Sequence, residues 1–196
     1  MLNVFIGHDP RQTVSYTVLQ NSILTRASKP VSIIPLILET LPVSRVGLTP
    51  FTYTRFLVPY LCDFEGWSLF LDSDILVLDD ISSLFDLADD KYAVMVSKNK
   101  LRFEWASVML FNNDKCRMLK PSYIETAKAL HGCEWAGEDL IGELPARWNH
   151  LIGYDAPRDD PALVHYTQGI PCFPETEDCE HAEVWKLEAA AAMQTV

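Results

Sequence analysis

The sequence predicts an α/β fold in which a mainly parallel sheet is covered by helices on both faces. Three observations predict it. A strand-like run, Leu2–Ile6, is followed by a helical pattern and then by a second strand-like run, Val31–Ile34. Such a β-α-β opening pairs its strands in parallel. The run Trp67–Leu78 is apolar except for Ser68 and the segment Asp72-Ser73-Asp74; apolar runs of this kind read as strands buried on both faces, and Trp67–Leu71 is the strand that delivers the two aspartates. Short apolar segments then recur at Tyr92–Val96, Ser107–Phe111 and Ala162–Val164.

The elements follow in order. After Leu2–Ile6 comes Gly7-His8-Asp9-Pro10. Asp9 suits a helix cap and Pro10 a first helical turn, and Tyr16, Leu19, Ile23 and Ala27 recur at helical spacing. Lys29-Pro30 ends that helix. Residues 37–48 read as a loop. Thr49-Pro50 restarts a helix with an apolar face of Tyr53, Phe56, Leu57, Tyr60 and Leu61, which Pro59 ends or kinks. The stretch from Asp114 to Leu130 carries a helical pattern that Pro121 interrupts, and Glu180–Met193 reads as an alanine-rich helix. Residues 1–196 are expected to form one domain, with 176–196 as a peripheral C-terminal helix.

Composition bounds the function. The chain has 196 residues, 48% of them hydrophobic and 22% charged, with a net charge of −11. That is enough chain for one full core, and the charge argues against nucleic acid and anionic membrane surfaces as partners. No basic leader and no apolar run of membrane-spanning length is visible. The five cysteines lack paired spacing, so reduced thiols and a cytoplasmic location are expected. A homo-oligomer is left open.

Asp72 and Asp74 carry the most information about chemistry. In extended chain, residues i and i+2 point to the same side, so both carboxylates are expected to project together from the end of a core strand. Two ionised carboxylates this close need a shared proton or a cation between them. A tight turn in which both aspartates cap local N–H groups is the simpler alternative. His165 follows a short strand and precedes Gly169 and Pro171. An imidazole with two carboxylates suits Mn²⁺ well and Mg²⁺ acceptably. Arg55 sits in an aromatic and apolar helix, where it either clamps a phosphate, orients an aspartate or covers apolar neighbours with its stem. Glu138 and Asp139 either open a helix or face a sugar or its acceptor hydroxyl. Asp9, with backbone groups of Ile6 and Gly7, is a candidate for holding a base or ribose at the end of the first strand. Asp79-Asp80, Asp89-Asp90 and Asp159-Asp160 read as solvated turns.

Several motifs, taken in order, resemble the family 8 glycosyltransferases. They are Gly7-His8-Asp9, Tyr53-Thr54-Arg55-Phe56-Leu57-Val58-Pro59-Tyr60-Leu61, Phe70-Leu71-Asp72-Ser73-Asp74, Ser107-Val108-Met109-Leu110-Phe111-Asn112, Leu144-Pro145-Ala146-Arg147-Trp148-Asn149 and His165-Tyr166-Thr167-Gln168-Gly169. The resemblance implies a GT-A fold, the nucleotide-diphospho-sugar transferase architecture, with a Rossmann-like mixed sheet. It implies Asp72, Asp74 and His165 as ligands of a divalent ion, usually Mn²⁺, that grips a donor diphosphate. It further implies a nucleoside site at Ile6, Gly7 and Asp9, diphosphate support from Arg55, Ser73 and Gly169, and Glu138 and Asp139 near the sugar. The expected activity is retaining transfer of a hexose from a nucleotide sugar, most simply UDP-linked, to a glycan or other hydroxyl acceptor. The sequence departs from the family pattern at Ile170-Pro171-Cys172-Phe173, where a lysine is expected, and at Trp105-Ala106-Ser107, where an asparagine is expected. Those departures keep open a non-catalytic nucleotide-sugar or glycan-binding protein. Asp72-Ser73-Asp74 also fits a haloacid dehalogenase-type phosphohydrolase, although Leu76 and the two preceding strands fit that class poorly.

Overall fold

A computed structural model describes residues 1–194. β1 (Leu2–Gly7), α1 (Thr13–Arg26) and β2 (Val31–Leu36) form the opening unit. Then come α2 (Phe51–Thr54), α3 (Val58–Leu61), β3 (Trp67–Leu71), β4 (Ile75–Val77), α4 (Ile81–Phe85), β5 (Val94–Val96), β6 (Val108–Asn112), α5 (Pro121–Thr126), β7 (Ile141–Glu143), β8 (His150–Leu151), β9 (Leu163–His165) and α6 (Ala182–Gln194). Six strands make one sheet in the order β2-β1-β3-β6-β5-β7. β1 pairs in parallel with β2 and β3, β6 runs antiparallel between β3 and β5, and β7 is parallel to β5.

Both faces of this sheet are buried, and the strands divide their side chains between two cores with the period of two that pleating imposes. Phe5, Phe70, Val94, Val96, Met109 and Phe111 face one core, shared with Phe51, Val58 and Ile124 from α2, α3 and α5. Val4, Ile6, Leu69, Leu71, Met95, Val108 and Leu110 face the other, shared with Leu19 and Ile23 of α1 and Ile81 and Leu84 of α4. A third cluster joins Val18 of α1, Leu76, Val164, Ile170 and Trp185 and Ala189 of α6.

The expected strand Trp67–Leu71 is β3, and the apolar run beyond the aspartates holds a further strand. β3 ends at Leu71, Asp72-Ser73-Asp74 turn, and β4 enters a second sheet of order β4-β9-β8. There β4 pairs antiparallel with β9, setting Ile75 opposite His165, and β8 pairs in parallel with β9. The second sheet therefore delivers His165 to the turn that holds the aspartates.

Four local expectations need correction. Asp9 does not cap α1: the helix begins at Thr13 behind Gln12, with no side-chain cap, because the Asp9 carboxylate is engaged by Arg11. The helix restarted at Thr49-Pro50 tightens into a 3-10 turn at Arg55–Leu57, since Pro59 offers no N–H to the Arg55 carbonyl. The pattern from Asp114 to Leu130 is α-helical only at Pro121–Thr126. Asp80 is not a free turn residue: its Oδ1 accepts the Ser82 N–H at 2.9 Å and caps α4.

Candidate active site

The strand β3 ends where the sheet meets the second sheet, and this junction builds the site. The Asp72 N–H donates to the Ser107 carbonyl (2.9 Å) and the Tyr166 N–H to the Asp74 carbonyl (2.9 Å). These two bonds pin the turn between the ends of β6 and β9. Ligand atoms of Asp72, Asp74 and His165 consequently lie within 4.8 Å of one another. His165 Nε2 is 3.2 Å from Asp74 Oδ1, and His165 is buried.

The turn does not use its carboxylates as caps. Asp72 Oδ1 and Asp74 Oδ1 are both buried and neither accepts a hydrogen bond; their cationic neighbours are close but poorly aligned. Buried carboxylate oxygens without donors are costly. Two such oxygens facing one imidazole are a donor set that fits a divalent cation. The alternative of two locally capping aspartates is ruled out by the same geometry.

Electrostatics agree. Burial pushes the Asp72 carboxyl up to about 7; Arg55 and His165 work against this shift, and Asp74 and Glu104 reinforce it. For His165, burial favours the neutral ring, but the Asp74, Asp72 and Glu104 carboxylates outweigh it and raise its pKa. The group is thus held together by charges that a cation would replace.

Arg55 reaches Asp72 from the 3-10 turn. Its Nη1 lies 3.0 Å from Asp72 Oδ1 and donates to the Ala106 carbonyl at 2.8 Å. A cavity of about 140 Å³ opens over the group, lined by Thr49, Phe51, Thr52, Arg55 and Phe103 among others. Gly7, at the end of β1, abuts Phe51 so closely that a Cβ would lie 2.5 Å from its ring. The end of β1 therefore borders this cavity through one aromatic ring. Asp9 is buried and clamped by Arg11 at 2.6 Å; the Arg11 hydrogen bonds hold its carboxyl below the usual range. Ser73 is buried in the turn. Gly169, at φ 125°, closes the turn after β9 with its N–H on the Tyr166 carbonyl.

Glu138 and Asp139 are not brought to this group. They lie in a short 3-10 turn, are exposed, and do not line the cavity; Glu138 is paired with Arg102. Two residues that the sequence reading missed do belong. Asn149 Oδ1 is 3.3 Å from His165 Nδ1, while its amide donates to the Ser107 hydroxyl and the Glu104 carbonyl. Glu104 lines the cavity and adds negative charge. The only signal for Asn149 was its place in the motif Leu144–Asn149; Glu104 had none.

Known proteins share this architecture. WbbM, described as a bifunctional glycosyltransferase, superposes with a TM-score of 0.74 at 16% identity, over 96% of this chain and 49% of that one. The glycosyltransferase GlyE of Streptococcus pneumoniae gives 0.70 at 20% identity, over 96% of this chain and 60% of that one. The chain thus spans about half of the former and three fifths of the latter. The galactosyltransferase LgtC, solved with donor and acceptor sugar analogues, gives 0.65 at 16% identity, over 97% of this chain and 96% of that one. At such identities the likeness concerns the fold, which is GT-A. Protein CDI of Arabidopsis thaliana is 36% identical, over 94% of this chain and 85% of that protein. Among the described residues no helix is long and apolar enough to cross a membrane. The sequence pattern of glycosyl transferase family 8 matches residues 13–131, which include the β3–β4 turn with both aspartates, and the chain belongs to that family.

Proposed function

We propose that this protein transfers a hexose from a nucleotide-diphosphate sugar, UDP-linked, to a hydroxyl acceptor with retention of configuration, using a divalent cation held by Asp72, Asp74 and His165. One observation carries the reading: two buried carboxylate oxygens without hydrogen-bond donors face an imidazole at the carboxyl end of a core strand. Crevices at that end of the strands are where open α/β sheets bind ligands.

Asp72, Asp74 and His165 would hold Mn²⁺ or Mg²⁺, which would supply positive charge to neutralise a departing diphosphate. The chain's own residues do the rest. Arg55 orients Asp72 and brings a second positive charge to the diphosphate side. Asn149 fixes the His165 ring, so that Nε2 faces the cation. Asp9 and the backbone of Ile6 and Gly7 take the nucleoside, and Ser73 and Gly169 flank the diphosphate. Phe51 and Phe103 exclude water.

The test is Mn²⁺-dependent binding of UDP measured by calorimetry on the wild type and on Asp74→Ala. The expected result is binding that vanishes with chelator and in the variant, with the circular dichroism spectrum unchanged. UDP binding that persists undiminished with chelator overturns the metal assignment. Tight donor binding with neither transfer nor slow donor hydrolysis would instead favour the non-catalytic reading.

A further inference from the structure

A second cluster of ligating side chains lies outside this site. His150 of β8 is buried, and its Nε2 is 3.3 Å from Glu180 Oε1. His181 Nε2 is 3.3 Å from the same oxygen. Ligand atoms of all three residues lie within 4.8 Å of one another. We propose that His150, Glu180 and His181 bind a zinc-class divalent cation that fastens the segment entering α6 to β8.

Two observations point to a cation. The first is spacing. Ligands on a tetrahedral Zn²⁺ with bonds of roughly 2.0–2.1 Å stand about 3.3 Å apart, and both imidazole–carboxylate separations have that value, the His150–Glu180 contact being a hydrogen bond when no metal is bound. The second is an orphan: His181 Nε2 is buried and makes no hydrogen bond, although a carboxylate oxygen is within reach. His181 has φ 58°, a left-handed geometry that non-glycine residues adopt at a cost of order 1 kcal/mol or more. It is held there by the Tyr166 hydroxyl and the Trp185 N–H, which both donate to its carbonyl.

The surroundings suit a metal-bound imidazole. The other ring nitrogen of His150, Nδ1, faces Asp155 Oδ2 at 3.8 Å, and that carboxylate is itself fixed by the Leu151 N–H at 2.9 Å. A carboxylate behind a ligating histidine sets its orientation and raises its basicity. Glu180 and His181 keep some exposure, so water has access to a fourth position. Two imidazoles with one carboxylate favour Zn²⁺ or Co²⁺, whereas the two carboxylates with one imidazole at Asp72, Asp74 and His165 favour the harder Mn²⁺ or Mg²⁺. The two clusters are thus chemically separable.

Co²⁺ is the probe. The full chain, stripped with chelator, is titrated with Co²⁺ while the visible absorption of four-coordinate Co²⁺ is followed. The expected band appears in the wild type and persists in Asp72→Asn/Asp74→Asn, but falls at least tenfold in Glu180→Gln and in His181→Gln. Equimolar Zn²⁺ bleaches it and raises the melting temperature of the wild type but not of Glu180→Gln. Both residues are partly exposed, and circular dichroism of each variant without metal checks the fold. Absence of the band, a near-ultraviolet thiolate charge-transfer band in its place, or a band insensitive to Glu180→Gln overturns the proposal. The first outcome would leave protons, not a metal, between these imidazoles and Glu180. Loss of UDP binding in Asp74→Ala bears only on the other cluster, so the two tests fail independently.

Discussion

Arg55 and Asp72 form a buried ion pair with Nη1 3.0 Å from Oδ1, and the same Nη1 donates to the Ala106 carbonyl at 2.8 Å. One guanidinium therefore ties the end of β3 to the segment entering β6. It also lies near the faces of Phe51 and Phe70, 5.4 and 5.0 Å from their centroids. Removing it leaves a buried carboxylate with only the His165 imidazole to offset its charge, and stranding a buried charge costs about 3–5 kcal/mol in general. Arg55→Met should lose on the order of 3 kcal/mol of stability at pH 8 by urea unfolding without metal. Asp72→Asn in the same background should recover a large part of it. If the double variant is no more stable than Arg55→Met, the loss comes from packing rather than from the stranded charge.

The pH dependence of the metal-free protein has a definite sign. Asp72, with its pKa pushed up to about 7, binds more protons folded than unfolded above its ordinary 3.8, so its contribution falls as pH rises through 7. His165, raised above 6.5, contributes stability that is likewise lost as pH rises through its folded value. His131 acts the other way: burial lowers it to about 4, so it weakens the fold as pH falls from 6.5 towards 4. Above pH 6.5 only Asp72 and His165 remain of the three. The melting temperature without metal should therefore drop between pH 6.5 and about 8.5. Saturating Mn²⁺ should reduce that drop, because the cation replaces the lost protons. A metal-free melting temperature that rises over this interval would contradict the assignment of Asp72.

The β1-α1-β2 opening was legible because each strand is bounded by breakers and the helix carries its own period. The end of β3 was legible too, because two aspartates interrupt the apolar run, but that Ile75–Val77 enters a different sheet was not, because residues buried on both sides of a sheet do not alternate. Leu69 to Leu71 and Ile75 to Val77 are all fully buried, so no pattern within the two halves shows that they belong to different sheets. The stretch from Asp114 to Leu130 failed in the opposite way. Leu119, Ile124 and Leu130 are all buried, but they stand five and six residues apart, and two of them reach the core from loops. At the site, Asp72, Asp74 and His165 announce themselves as charge or imidazole against apolar sequence. Asn149 does not, because its role depends on the register of β8 beside β9, which no local pattern encodes.

Asn149 gives a third prediction. It contacts His165 Nδ1 at 3.3 Å while its own amide is held by the Ser107 hydroxyl and the Glu104 carbonyl. It is a positioning residue, acting through the imidazole. Loss of such partners typically weakens metal binding about 10–100-fold. Asn149→Ala should weaken Mn²⁺ binding in that range, measured by electron paramagnetic resonance titration, whereas Asn149→Asp should retain more affinity because its oxygen still meets Nδ1. Equal losses in both variants would show that the residue acts through packing alone.

Gly7 gives the last. A Cβ there would stand 2.5 Å from the Phe51 ring, and that ring lines the cavity over Asp72 and Asp74. Neither partner has room to yield, because Gly7 is paired with Leu36 in the sheet and Phe51 is buried in the core beside Phe56. Overpacking of this kind costs about 1–3 kcal/mol. Gly7→Ala should therefore lower stability by that amount and, by pushing the ring towards the cavity, weaken UDP binding. Phe51→Leu in the Gly7→Ala background removes ring atoms at the point of collision, so stability should return towards that of Phe51→Leu alone. The cycle is read by urea unfolding, and purely additive losses would mean that Gly7 is required for a reason other than its approach to Phe51.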